Sequence, residues 1–285
     1  MAIQGSGTIK LSEIQTEFGG SNPISMSEYY RGGSYVTDNN TGVPTSGLIT
    51  LSDYYGSVRQ FAFTISTNYS TPQNLATLAT AAGWNGSDYL VATNNAIISS
   101  NTTGTAALTI DDSFPNGILL INTGYIVGMG GNGGHAEGNG GTRAGYAGGN
   151  AISVSSNASI NNTGTIAGGG GGGGSSTSFG WSGTILTGGG GGGASGLTAA
   201  GAGFCYYNST AQSSQYDAGT GMYSTRGTTS PGYISGVVAP QAGYGGSWGT
   251  AGATAGYAGG AAGNAVSGNS YVTWVATGTR YGALV

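Results

Sequence analysis

The sequence predicts a mainly β protein with little α structure. Short N-terminal helices lead to a β-rich middle domain and then to a C-terminal bundle of packed polyglycine II helices with long loops. Three observations carry this expectation. Helix start-and-stop units recur at the N-terminus, strand-like apolar segments follow, and glycine then dominates. Of the 61 glycines, 13 lie in residues 1–123 and 48 in residues 124–285. Such a composition shift marks a boundary near Gly124, so the expected domains are 1–58, 59–123 and 124–285.

The N-terminal units are TIKLSEIQTEFGG, PISMSEYYRGG and LITLSDYYGS. Ser12, Ser27 and Ser52 are candidate N-caps. Glu13, Glu28 and Asp53 fall in the first turn, where the helix dipole favours a negative charge. Gly19, Gly32 and Gly56 suit the left-handed residue that ends a helix. Helices of one or two turns are not stable alone. These must pack on each other, on strands or on a partner protein, so residues 1–58 are expected to form a docking module.

In residues 60–122, QFAFTIS alternates with the period of a half-buried strand. Thr71-Pro72 has the form of an N-cap followed by proline at the first helical position, with QNLATLATAAG as the helix. YLVATNNAIIS, AALTIDD and GILLINTGYIV are strand candidates separated by Asn, Gly and Pro turns.

From Gly124 onward, glycine blocks alternate with mixed segments. ILLINTGYIVGMGG (118–131) has an echo, INNTGTIAGGGGGGG (160–174), and AGYAGGNAISV (144–154) has one in AGYAGGAAGNAVSG (255–268). Repeats of this kind point to stacked, equivalent elements. Glycine runs are poor helix and strand interiors. Flexible linkers do not recur this often amid aromatics and β-branched residues. Gly128–Gly133 matches G-x-G-x-x-G, but a dinucleotide site needs a helix to follow, and GGHAEGNGGTRAG follows instead. The remaining option is an extended helix with three residues per turn, packed against copies of itself so that backbone groups bond between helices. Seven residues would span about 22 Å at roughly 3.1 Å per residue.

Composition excludes several function classes. A net charge of −4 and scattered basic residues argue against a nucleic-acid partner. One Cys and one His leave no disulfide framework and no zinc site. Asp111-Asp112 fits a turn before Phe114-Pro115. No constellation of nucleophile, base and orienting group is visible, so neither an enzyme nor a cofactor is expected. The first 30 residues lack a basic stretch followed by an apolar one, so no signal peptide is expected.

ALTIDDSFPNGILLINTGYIVGMGGNGG resembles a segment common in bacteriophage tail proteins. The alternation of glycine runs 168–174 and 188–193 with aromatic loops resembles the distal adhesins of T-even-like long tail fibres. Residues 8–33, from TIKLSEIQTEF to YYRGG, resemble the N-terminal segment of many phage virion proteins. The resemblance implies a polyglycine II sandwich in the virion tail whose loops touch the host. It also implies contact with other tail proteins through the N-terminal region. Tail fibres are commonly trimeric, which allows a homotrimer, whereas a polyglycine sandwich closes within one chain. The alternatives are a structural tail, baseplate or decoration protein without receptor contact, and an ice-binding glycine bundle.

Within that frame, Phe179, Trp181, Tyr206, Tyr207, Tyr216, Tyr223, Tyr233 and Trp248 are the candidate receptor-binding residues. Tyr and Trp give large, stiff contact area at low entropic cost, and a segment as long as 197–242 inside a compact domain points to function. The expected partner is a host cell-surface receptor, either a polysaccharide stacking on the rings or an outer-membrane protein burying them.

Overall fold

The structure is a computed structural model. It describes residues 2–135, 143–177, 190–201 and 241–285 and the backbone of six short strands between Phe179 and Val238. The N-terminal units form α1 (Leu11–Phe18) and two 3₁₀ turns, Met26–Tyr29 and Leu51–Tyr54. The caps differ from those expected: Lys10, Ser25 and Thr50 hold the N-cap positions, so the serines lie inside the helices. The acids do the capping in two of the three. Glu13 accepts from the Lys10 N–H at 2.8 Å and Asp53 from the Thr50 N–H at 2.7 Å, which satisfies a terminal donor and complements the dipole. Gly19, Gly32 and Gly56 all have positive φ, as expected.

These short helices close around their own core of Ile3, Ile9, Ile14, Phe18, Tyr29, Val36, Val43 and Tyr54. The Tyr54 hydroxyl donates to the Tyr29 carbonyl at 2.9 Å. Burial, reinforced by Asp53, pushes the Tyr54 phenol well above its ordinary pKa, so it remains a donor. The exit from this core is tied down. Asn40 bonds both the N–H and the carbonyl of Val58, and buried Glu17 accepts from the Arg59 N–H. Arg59 in turn pairs with Asp88 at 2.8 Å.

Residues from Gln60 onward wind into a solenoid. Its first strands are β1 (Gln60–Ile65), β2 (Gln73–Asn74), β3 (Tyr89–Asn94), β4 (Ile97–Ser99), β5 (Leu108–Ile110), β6 (Ile118–Asn122) and β7 (Tyr125–Val127). They are followed by β8 (Ile152–Val154), β9 (Ala158–Asn162) and β10 (Thr165–Ala167). The six short strands come next: β11 (Phe179–Trp181), β12 (Thr184–Thr187), β13 (Cys205–Tyr207), β14 (Thr210–Gln212), β15 (Tyr233–Ile234) and β16 (Val237–Val238). The solenoid resumes with β17 (Val266–Ser267), β18 (Val272–Ala276) and β19 (Thr279–Tyr281). Three sheets, ordered β1-β3-β6-β9-β18, β4-β7-β10-β19 and β2-β5-β8-β17, are parallel throughout. The chain visits them in rotation, so consecutive coils stack as a parallel β-helix. Strands from either side of Gly124 therefore share every sheet.

Two sequence expectations change here. YLVATNNAIIS and GILLINTGYIV are each two strands, broken at an asparagine corner. Asn94, Asn122 and Asn162 are fully buried and stack as a ladder. The amide of Asn94 donates to Asn122, and that of Asn122 to Asn162, each at 2.8 Å. The ladder ends where Asn162 donates to the Thr277 carbonyl at 2.9 Å. Along each strand the alternate side chains point inward, and Leu90, Leu120, Ile160, Ile98, Ile126 and Ile166 fill the solenoid core.

The second change concerns the middle helix. α2 (Leu75–Ala81) is capped by Asn74, whose side chain accepts from the Thr77 N–H at 3.0 Å, and not by Thr71. The Gln73 N–H bonds the Ala107 carbonyl, which holds residues 73–74 in the sheet and delays the helix. Asn74 also donates to Asp111 at 2.6 Å. Burial opposes ionisation of Asp111, but hydrogen bonds from Ser113 and Asn74 outweigh it and hold the carboxyl below its ordinary value. Replacing Asn74→Ala is expected to lower stability by about 1 kcal/mol through loss of the cap, read as a shift of the denaturant midpoint.

Candidate functional site

The solenoid is interrupted twice. The chain leaves after Val127 and returns at β8, then leaves after Ala167 and returns at β17. Both excursions run into glycine, which forms rods linked by hydrogen bonds at three-residue intervals. Gly128, Gly131 and Gly134 donate to Ala167, Gly170 and Gly173. Gly243, Gly246 and Gly249 donate to Gly174, Gly171 and Gly168 in the opposite direction. This period is that of polyglycine II.

The run from Gly168 is the hub. Every N–H from Gly168 to Ser175 donates to another segment, and every carbonyl from Gly168 to Ser175 accepts from one. Apart from Tyr281, which accepts from the Gly168 N–H, its partners are six segments: 128–134, 143–149, 191–194, 243–249, 250–253 and 257–263. With three residues per turn, three N–H directions and three carbonyl directions reach six neighbours. A Cβ added to any residue from Gly168 to Gly174 would lie under 3.0 Å from a neighbour's carbonyl oxygen. Only glycine admits so close an approach on every side, and the hub is wholly buried with no side chains of its own. Its backbone polar groups are all paired, which replaces a hydrophobic core as the source of order.

The rods have two ends. One abuts the solenoid, where Gly168 donates to the Tyr281 carbonyl, the Leu197 N–H donates to the Ser99 hydroxyl and Gly196 packs against Ser99. At the other end, Ser175 donates to the Arg143 carbonyl, and the Arg143 guanidinium lies over the Tyr257 ring, 5.1 Å from its centroid. The chain passes this far end as it enters β11. Backbone pairing then joins β11 to β12, β12 to β13 and β13 to β14 as an antiparallel sheet, and β15 to β16 as a hairpin.

The far-end strands hold most of the aromatics singled out in the sequence. Phe179 and Trp181 are on β11, Tyr206 and Tyr207 on β13, and Tyr233 on β15. Phe179 and Tyr207 both pair with Leu186, which brings segments 20 and more residues apart into one sheet. Tyr216 and Tyr223 lie outside the described residues. Trp248 is elsewhere: it belongs to the turn at the solenoid end, where its ring meets Tyr125 and Tyr281.

A model of the phage tail fibre adhesin Gp38 family matches residues 60–285. The chain belongs to this family. Among solved structures, the crystal structure of the gp37-gp38 adhesin tip complex of the bacteriophage S16 long tail fiber matches 100% of this chain and 100% of that chain. Sequence identity is 26% and the TM-score is 0.61. No curated protein sequence matches. As a tail fibre adhesin, the protein is a receptor-binding component of the phage tail, and the adhesin reading prevails over that of a baseplate or decoration protein.

Sequence reasoning missed Tyr125 and Tyr281 as members of one cluster. The signal was present: NTGYI, NTGTI and ATGTRY are successive copies of one solenoid corner. Aligning them puts Tyr125, Thr165 and Thr279 on one rung.

Proposed function

We propose that this adhesin engages its host receptor with the aromatic strands and loops of segments 178–189 and 202–240, the glycine hub serving as their rigid mount. The contact residues of this reading are Phe179, Trp181, Tyr206, Tyr207, Tyr216, Tyr223 and Tyr233. One observation carries the reading. The hub has all its backbone groups paired, and the described residues beside these segments, Gly190 and Gly243 among them, bond to Gly134 and Gly174 near the end of the rods away from the solenoid. Loops held on a rigid scaffold are where recognition concentrates. Residues 1–58 with their separate core are proposed as the docking module toward other tail proteins, in keeping with a similar adhesin having been crystallised in a complex with gp37. Catalysis forms no part of this reading.

The test is a segment swap. Exchanging residues 178–189 and 202–240 for those of an adhesin with a different host should transfer the adsorption range while leaving the melting temperature nearly unchanged. Unaltered host range after the swap of both segments, with the protein folded, would defeat the proposal.

A further inference from the structure

At the solenoid end of the bundle, the sheet β4-β7-β10-β19 turns a face outward beneath the turn 247–250. Tyr125, Thr165, Ser247, Trp248 and Tyr281 line an open cleft of about 400 Å³ there, within the range of small-molecule sites. Tyr125 and Tyr281 are each 46% exposed. The Trp248 ring lies between them, 6.3 Å and 6.1 Å from their centroids and tilted by 53° and 50°. The rings therefore form angled walls and leave their faces available.

Trp248 is held in this position. Its indole N–H donates to the Ser195 carbonyl at 3.1 Å. The next residue, Gly249, has φ +63° and donates to the Gly168 carbonyl. A Cβ on Gly249 would collide with the Tyr281–Gly282 backbone, so the turn sits directly on the sheet. Thr165 lies on β10, flanked by Tyr125 on β7 and Thr279 on β19. Among the described residues, the hydroxyls of Tyr125, Thr165, Ser247 and Tyr281 make no hydrogen bond to protein, and no charged side chain lines the cleft.

We infer that this cleft is a second binding site of the adhesin, built for a neutral hexopyranose unit of a surface saccharide. Aromatic faces carry negative quadrupole density that attracts the electropositive C–H groups on a sugar face. Four unpaired hydroxyls around the rings match a ligand whose rim is hydroxyl groups. The site is uncharged, which disfavours phosphate and carboxylate ligands. A preorganised indole lowers the ordering cost of binding. The cleft is separated from the far end by rods of about seven residues, or roughly 20 Å. It can therefore act independently of the receptor contact proposed above, and does not depend on it.

The experiment titrates the purified full chain with glucose, galactose and N-acetylglucosamine, following tryptophan fluorescence and saturation-transfer NMR of the sugar protons. Saturable binding to at least one sugar is expected. Trp248→Ala and Tyr281→Ala should each weaken it roughly tenfold, about the effect of one ring contact of 1.4 kcal/mol. Thr165→Gln, which fills the cleft while leaving the rings in place, should also abolish it if the fold is kept. Trp181→Ala at the far end should leave it unchanged. Lack of binding by all three sugars would overturn the inference, as would binding that survives Trp248→Ala and Thr165→Gln together. Saturable binding of choline without any sugar would also overturn it, since a quaternary ammonium is the other ligand of aromatic cages. Cell adsorption measured on the same variants reports separately on the far-end receptor site.

Discussion

Gly172→Ala is expected to unfold the glycine bundle while the solenoid and N-terminal core persist. Gly172 donates to the Tyr146 carbonyl and accepts from the Gly260 N–H, so its backbone joins two neighbouring rods. Its added Cβ would fall on the Asn132 carbonyl of a third. Overpacking in cores costs about 1–3 kcal/mol when side chains can adjust. Here the obstacle is backbone already committed to hydrogen bonds, so the loss should exceed about 3 kcal/mol. Hydrogen exchange should reveal rapid exchange of the amides of Gly168–Ser175 in the variant, with protection of β3, β6 and β9 retained. Gly104→Ala is the control, since its Cβ would meet only the Thr102 hydroxyl at 3.8 Å, and a change within about 0.5 kcal/mol is expected. Equal behaviour of the two variants would remove the hub from the account of stability.

Asn122→Leu should be the costliest single change in the solenoid corner. Asn122 is the middle of the ladder: it accepts from Asn94 and donates to Asn162, and no solvent reaches it. The leucine is close in size, so packing volume changes little, but the Asn94 amide and the Asn162 carbonyl oxygen each lose a partner. An orphaned buried group costs about 1–3 kcal/mol, so two predict roughly 2–6 kcal/mol. Asn94→Leu, at the end of the ladder, should cost less, because the Asn94 side chain makes three hydrogen bonds, to Asn122 and to the N–H and carbonyl of Ala96, where that of Asn122 makes four. Chemical denaturation of the three proteins checks the order. An Asn94 variant less stable than the Asn122 variant would contradict it.

The parts of the fold legible in the sequence are those with a local cause. The glycine run 168–174 announces its packing because no other arrangement both tolerates the loss of side chains and pairs the backbone. The N-terminal turns announce themselves through acid and glycine at helix spacing, although Glu13 and Asp53 cap where serines were expected. What escaped is non-local. Asn94 and Asn122 look like turn residues in isolation, and become a ladder only when successive coils stack in register. Strands of three residues such as β7 and β10 are too short to carry a period, so their parallel pairing depends on neighbours 40 residues away. The same holds for the candidate sites. Phe179 and Trp181 were visible as aromatics in a loop-like context. The cluster of Trp248 with Tyr125 and Tyr281 joins residues from three distant segments, and Trp248 read alone was grouped with the loop aromatics.

The way the chain enters and leaves the bundle imposes a parity rule. An excursion begins and ends on the solenoid, so rods have to be added in antiparallel pairs, as 128–134 and 143–149 are. A single extra rod would strand the chain roughly 20 Å from the strand it must rejoin. Diversification of such an adhesin is therefore quantised: a tip segment can lengthen, shorten or change sequence freely, but a new tip arrives only with two new rods and a fresh share of the hexagonal array.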